Sequence, residues 1–200
     1  MIGYYHKVAA PLVLILSISC DSPSVNNLPV AGGLFDLPGF IREQADSLKK
    51  HDVIVTKSAW IDDRKEDVVF TADSTFWERE FGVVVSADIS RPALRDRYRI
   101  IESDSAGYSL IHYQAIEPEA NGIMSMRITR DDQGNISAID VSEQDNNFLY
   151  HNRRVLHLKF NGKDMSFPGL LGDYTISGFQ KVILGKEVSY RIHARLELRR

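Results

Sequence analysis

Along most of the chain, apolar and polar residues alternate with a period of two. The last stretch is the clearest. Val188, Tyr190, Ile192, Ala194, Leu196 and Leu198 alternate with Ser189, Arg191, His193, Arg195, Glu197 and Arg199. Such alternation gives a strand with one apolar and one wet face. From residue 97 onward the same pattern predicts strands over 97–102, 108–116, 122–130, 136–141, 154–160 and 174–184, with an irregularity at Gly178. Turn signals separate them, among them Asp131-Asp132-Gln133-Gly134-Asn135 and Asn161-Gly162. An earlier hairpin is predicted from 53–61, a charged turn over 62–67, and a return beginning at Val68.

Two segments change the period. Leu37, Phe40, Ile41, Ala45 and Leu48 recur at helical spacing behind Asp36, a suitable N-cap, and Pro38, which fits the first turn. Residues 74–87 predict a second helix, with Trp77, Phe81, Val84 and Val85 on one face. Gly82 and the β-branched run after it work against that helix. Serial strands with short turns argue for a meander rather than βαβ units. The expected fold is α+β and predominantly antiparallel β: a curved meander sheet packed against two helices from the N-terminal half, forming one domain over 34–200.

The N-terminus follows a different logic. Met1 to Lys7 carries a lysine and no acid, Val8 to Ile18 is almost wholly apolar, and small residues lead to Cys20. That order is an export signal, and the cysteine at its boundary makes it a lipoprotein signal over 1–19. Leu16 lies one place earlier than in the usual acylation motif, and Ile18 is bulkier than the usual residue there. A span needs roughly 20 apolar residues, more than this stretch supplies. Cys20 is the only cysteine, so it has no disulfide partner within the chain, and acylation accounts for it better than a free thiol in an oxidising compartment. Residues 20–33, rich in Ser, Asn, Pro and Gly, read as the acylated cysteine and a tether. The partner implied is a membrane, reached through acyl chains on Cys20.

The net charge of −3 with interspersed signs gives no indication of nucleic-acid binding. No cofactor motif is found. His151 and His157, six strand positions apart, would stand about 20 Å from each other. His112 and His193 would have to meet across strands. The Asp131–Asn135 run lacks the spacing of a calcium loop. No G-x-S-x-G elbow is present. Ser47-Leu48-Lys49-Lys50 matches S-x-x-K without its companion motifs. Glu78 and Glu80 would point about 200° apart on a helix, unsuited to a glycosidase pair. Gly169-Leu170-Leu171-Gly172 reads as a packed loop or a mobile lip. No catalytic residue, metal ligand or cofactor site is therefore expected.

Two faces are candidates for binding. Met124, Met126 and Ile128 share one face of a strand and, with Tyr108, Tyr174 and Tyr190, would line an apolar ligand face. Arg191, His193 and Arg195 form the most concentrated basic face, able to meet an anionic head group or acidic partner, or simply to be the wet side of an amphipathic strand.

The chain resembles small envelope lipoproteins of Gram-negative bacteria, of the Bacteroidetes type. The resemblance rests on the exported cysteine, Phe35-Asp36-Leu37 with Phe40-Ile41, Trp77-Glu78-Arg79-Glu80-Phe81, Asp88-Ile89-Ser90-Arg91-Pro92-Ala93, Asn147-Phe148-Leu149-Tyr150 and Tyr174 to Lys181. It implies a lipid-anchored place in the bacterial envelope, at the outer membrane, and no assigned activity. A bent sheet over helices is also similar in architecture to lipoprotein-carrier folds. The two functions expected are a non-catalytic accessory protein binding another envelope component, and a carrier of a lipid or acyl chain in the concave face of the sheet.

Overall fold

The computed structural model describes residues 30–31, 33–105, 107–117 and 121–199. The expected signal segment and Cys20 lie outside the described residues, as does most of the tether. The architecture is α+β and predominantly antiparallel β. A two-stranded ribbon, β1 (Val30–Ala31) and β2 (Leu34–Phe35), leads into helix α1 (Leu37–Leu48). Asp36 caps it, its Oδ1 accepting from Gly39 N at 2.8 Å, and Pro38 sits in the first turn. Leu37, Phe40, Ile41, Ala45 and Leu48 are all buried.

Strands β3 (Val53–Ile61) and β4 (Arg64–Thr71) follow. The turn is shorter than the sequence suggests: Ile61 pairs with Arg64, leaving only Asp62 and Asp63, with Asp62 at φ 50°. Arg64 to Asp67 therefore belong to a strand. β4 is a sheet edge, where charged side chains cost nothing and discourage pairing with another chain.

The second expected helix is two short ones, α2 (Phe76–Glu80) and α3 (Gly82–Val85), broken at Phe81. Gly82 and three consecutive valines cannot sustain it. The expected face survives the break, because Trp77, Phe81 and Val84 are buried. A 3₁₀ turn over Pro92–Arg97 then delivers the chain to the meander.

The meander comprises β5 (Tyr98–Ser105), β6 (Tyr108–Ala115), β7 (Gly122–Arg130), β8 (Ile136–Asn146), β9 (Tyr150–Phe160), β10 (Leu171–Val182) and β11 (Glu187–Leu198). The nine-stranded order is β4-β3-β11-β10-β9-β8-β7-β6-β5. Adjacent strands in this sheet are consecutive in sequence except at one seam, where β3 pairs with β11, which leaves β4 and β5 at opposite edges. Thus the basic strand β11 is interior, and its charges do not guard an edge. The irregularity in β10 falls between Leu171 and Asp173, not at Gly178.

One face of the sheet receives the helices. Val55, Leu196, Tyr174, Ile176, Leu156, Leu158, Ile139, Val141, Met126 and Ile128 form a buried core with the apolar sides of α1, α2 and α3. Burial of this cluster is the main source of stability. The helices cover only one end of the strands. Towards the other end the same inner face continues with Tyr190, Gly178, Arg154 and Glu143, which are register neighbours.

Candidate ligand cleft

The uncovered end of the inner face holds a cleft of about 380 Å³. One wall is the segment from Ser86 to Tyr98. Ala87 and Ile89 have no exposed surface and root it in the core. Between them Asp88 turns outward: its Oδ1 accepts from Ser90 N at 2.8 Å and Ser90 Oγ at 2.6 Å, and its Oδ2 from Arg91 Nε at 3.3 Å. Burial opposes ionisation of Asp88, but the bonds from Ser90 and Arg91 outweigh it and hold its pKa below the usual carboxylate value. Leu94 and Tyr98 add apolar surface, and the Tyr98 hydroxyl donates to Ile123 O at 2.9 Å.

The floor is β7 and β8. A bulge between Ile123 and Ser125 inserts Met124. Bulges re-aim side chains, and here both Ile123 and Met124 line the cleft. Asn121 bonds reciprocally with the backbone of Asn146, through Nδ2 to O and from N to Oδ1, each at 2.8 Å. This ties the β6–β7 turn to the end of β8.

Glu143 closes the cleft on the inner side. It lies in phase with Ile139 and Val141, so it faces the helices' side of the sheet, and it pairs with Arg154 on β9. Desolvation raises the Glu143 pKa, with Arg154 acting against it. Tyr190 completes the row. A Cβ on Gly178 would collide first with the backbone carbonyl of Arg153 and then lie 2.8 Å from the Tyr190 hydroxyl, so glycine lets both the neighbouring strand and this ring approach. Burial raises the Tyr190 pKa, while the nearby charges of Arg154 and Glu143 oppose each other.

The expected ligand-face residues divide. Met126 and Ile128 have 0% exposure and are core; they are not a ligand surface in this structure. Tyr174 is likewise buried against Glu80, and Tyr108 is exposed at the start of β6. Met124 lines the cleft, and Tyr190 stands beside its Glu143–Arg154 end. Arg191, His193 and Arg195 lie on the outer face, away from the cleft, where His193 Nδ1 is 3.1 Å from Thr175 Oγ1. His157 Nδ1 is 2.7 Å from Asp140 Oδ1. His112 and His193 sit on β6 and β11, five strand spacings apart, about 24 Å. Among the described residues no three His, Cys, Asp or Glu side chains are grouped to hold a metal.

The other motifs resolve as structure. Lys49 pairs with Asp46 and Glu78. Glu80 turns inward to Lys57 and Tyr174. Asp131 Oδ1 accepts from Gln133 N and Asn135 N at 2.9 Å, closing a turn. The glycine-flanked Leu170-Leu171 segment is packed, held by Gln44, which donates to Gly169 O and accepts from Leu171 N.

Sequence reasoning missed Glu143, Arg154, Asp88 and Arg91. One signal existed: Glu143 and Arg154 each occupy the apolar phase of a strand. Compared with protein-family models, curated proteins and solved structures, the chain matches none. Among the described residues no helix is long and apolar enough to cross a membrane.

Proposed function

We propose that this protein is a lipid-anchored envelope protein with a non-catalytic binding role, held at a bacterial membrane by acyl chains on Cys20 and taking a small amphipathic ligand in the cleft. The observation that carries the binding role is the make-up of the cleft. Its volume falls in the range of small-molecule sites, about 300–1,000 Å³. Leu94, Ile123 and Met124 offer an apolar bed, and two pre-formed ion pairs, Asp88–Arg91 and Glu143–Arg154, stand at its sides. Those charges already neutralise one another. They suit orientation of a polar end better than proton transfer.

The carrier reading moves with this. The inner face under the helices is filled by side chains, so an acyl chain would have to lie in the cleft. Gentle purification of the full chain followed by native mass spectrometry tests the proposal. A bound small molecule is expected, and Met124→Trp, which fills the bed, should release it. A clean ligand-free mass for the unsubstituted chain, or retention in the variant, overturns it. The anchor is tested by palmitate labelling, expected in the parent and absent in Cys20→Ser.

A further inference from the structure

The strand ends farthest from α1 carry an unusual pair of turns. β8 joins β9 through Asn147, Phe148 and Leu149, and β10 joins β11 through Ile183, Leu184, Gly185 and Lys186. Turn tips normally carry polar residues. Here Leu184 is 97% exposed and Phe148 81%, with Leu149, Val182, Ile183 and Val188 also exposed around them. An apolar patch of this kind marks an interaction surface.

We propose that these two tips dip into a lipid bilayer. Their backbone is suited to it. Leu149 N and Tyr150 N donate to Asn147 Oδ1 at 2.8 and 3.0 Å, Ile183 N donates to Leu149 O at 2.8 Å, and Gly185 N donates to Val182 O at 2.8 Å. These bonds occupy four N–H groups within and between the turns, while those of Phe148 and Leu184 at the very tips stay with the polar headgroups, so insertion is shallow, at the headgroup–acyl boundary. The Ile183–Leu149 bond also fixes the tips as one unit. They project from the sheet rather than form a groove, so they suit a soft apolar medium better than a protein pocket. Lys181, Lys186 and His151 at their base are outnumbered by Glu187, Asp145 and the neighbouring Asp62 and Asp63, so apolar insertion and not cationic attraction drives binding.

The bilayer that receives the tips is the one that holds Cys20, and this step rests on the proposed anchor. Phe40 of α1 packs on Phe160 at the opposite end of β9 from the tips. Ten residues, 20–29, precede β1, a reach of roughly 34 Å. That matches the length of β9, about 33 Å, so both attachments fit one membrane.

The test uses the acylated full chain in phosphatidylcholine vesicles. The indole of Leu184→Trp should be blue-shifted and quenched about twofold or more by dibrominated acyl chains, at low and high salt alike, relative to the unsubstituted chain. In a Cys20→Ser background, Phe148→Ser and Leu184→Ser should each lower vesicle partition roughly tenfold. These side chains stand outside the core, so unchanged circular dichroism and melting certify the fold. A water-like, unquenched indole overturns the proposal, as does partition unaffected by the serine variants. Self-association that the serine variants abolish, without lipid quenching, assigns the tips to a second copy and overturns it as well. Palmitate labelling that is equal in the parent and Cys20→Ser removes the anchor reading alone, because quenching reports the tips independently.

Discussion

Lys57 Nζ lies 2.6 Å from Glu80 Oε1, and the Tyr174 hydroxyl donates to the same oxygen. The three groups join β3, α2 and β10 where the broken helix meets the sheet. Both charged side chains are largely buried, 23% and 13% exposed. Removing one partner of such a pair leaves the other poorly solvated. Glu80→Gln and Lys57→Met should each destabilise the fold by about 1–3 kcal/mol in urea unfolding. The double variant should lose less than the sum of the two. Strict additivity would show that the pair does not interact.

Tyr174 gives a pH signature. Burial, then the charge and hydrogen bond of Glu80, push its pKa far above the ordinary tyrosine value of 10.0. The folded state therefore holds this proton where the unfolded chain releases it. Stability from this group is fully present below pH 10 and is lost as pH rises above it. Tyr174→Phe should flatten the fall in stability above pH 10, measured by urea midpoints across the alkaline range. An equally steep fall in the variant would remove the assignment.

The two methionines of β7 should behave oppositely. Met126 is fully buried under the helices, so Met126→Ala should cost about 2–4 kcal/mol. Met124 lines the cleft and is only half-buried, so Met124→Ala should cost under about 1 kcal/mol. Thermal melting checks both. Similar costs would mean that Met124 is also core and that the cleft is closed in solution.

Gly178→Ala should destabilise by about 1–3 kcal/mol, because the new methyl meets Arg153 O and the Tyr190 ring. Gly178→Ala with Tyr190→Leu should recover part of the loss. Arg153 O remains in the way in both, so full recovery would show that the ring, not the neighbouring strand, sets the limit.

Asp88 supplies an acid-side test. Its lowered pKa means its contribution is present above the ordinary aspartate value of 3.8 and is lost as pH falls through the folded value. Asp88→Ala should cost about 1 kcal/mol at pH 7. The difference from the parent should vanish in strongly acidic buffer. A difference independent of pH would mean that the carboxylate's charge is not what organises the 86–98 wall.

Period and turn chemistry are local, and so they were legible in the sequence. The alternation in β7 and β11, the Asp36 cap with Pro38 behind it, and the buried face of Trp77, Phe81 and Val84 all follow from side-chain spacing along one element. The seam between β3 and β11, the two-residue turn after Ile61 and the break at Phe81 depend on what an element packs against. So does the site. Glu143 and Arg154 were visible as charges in an apolar phase, but only register brings them opposite each other and places Tyr190 over Gly178. Met124 and Met126 look alike in the chain. A bulge and the finite length of α1 put one in a cleft and the other in the core, because burial is decided by neighbours far away in sequence.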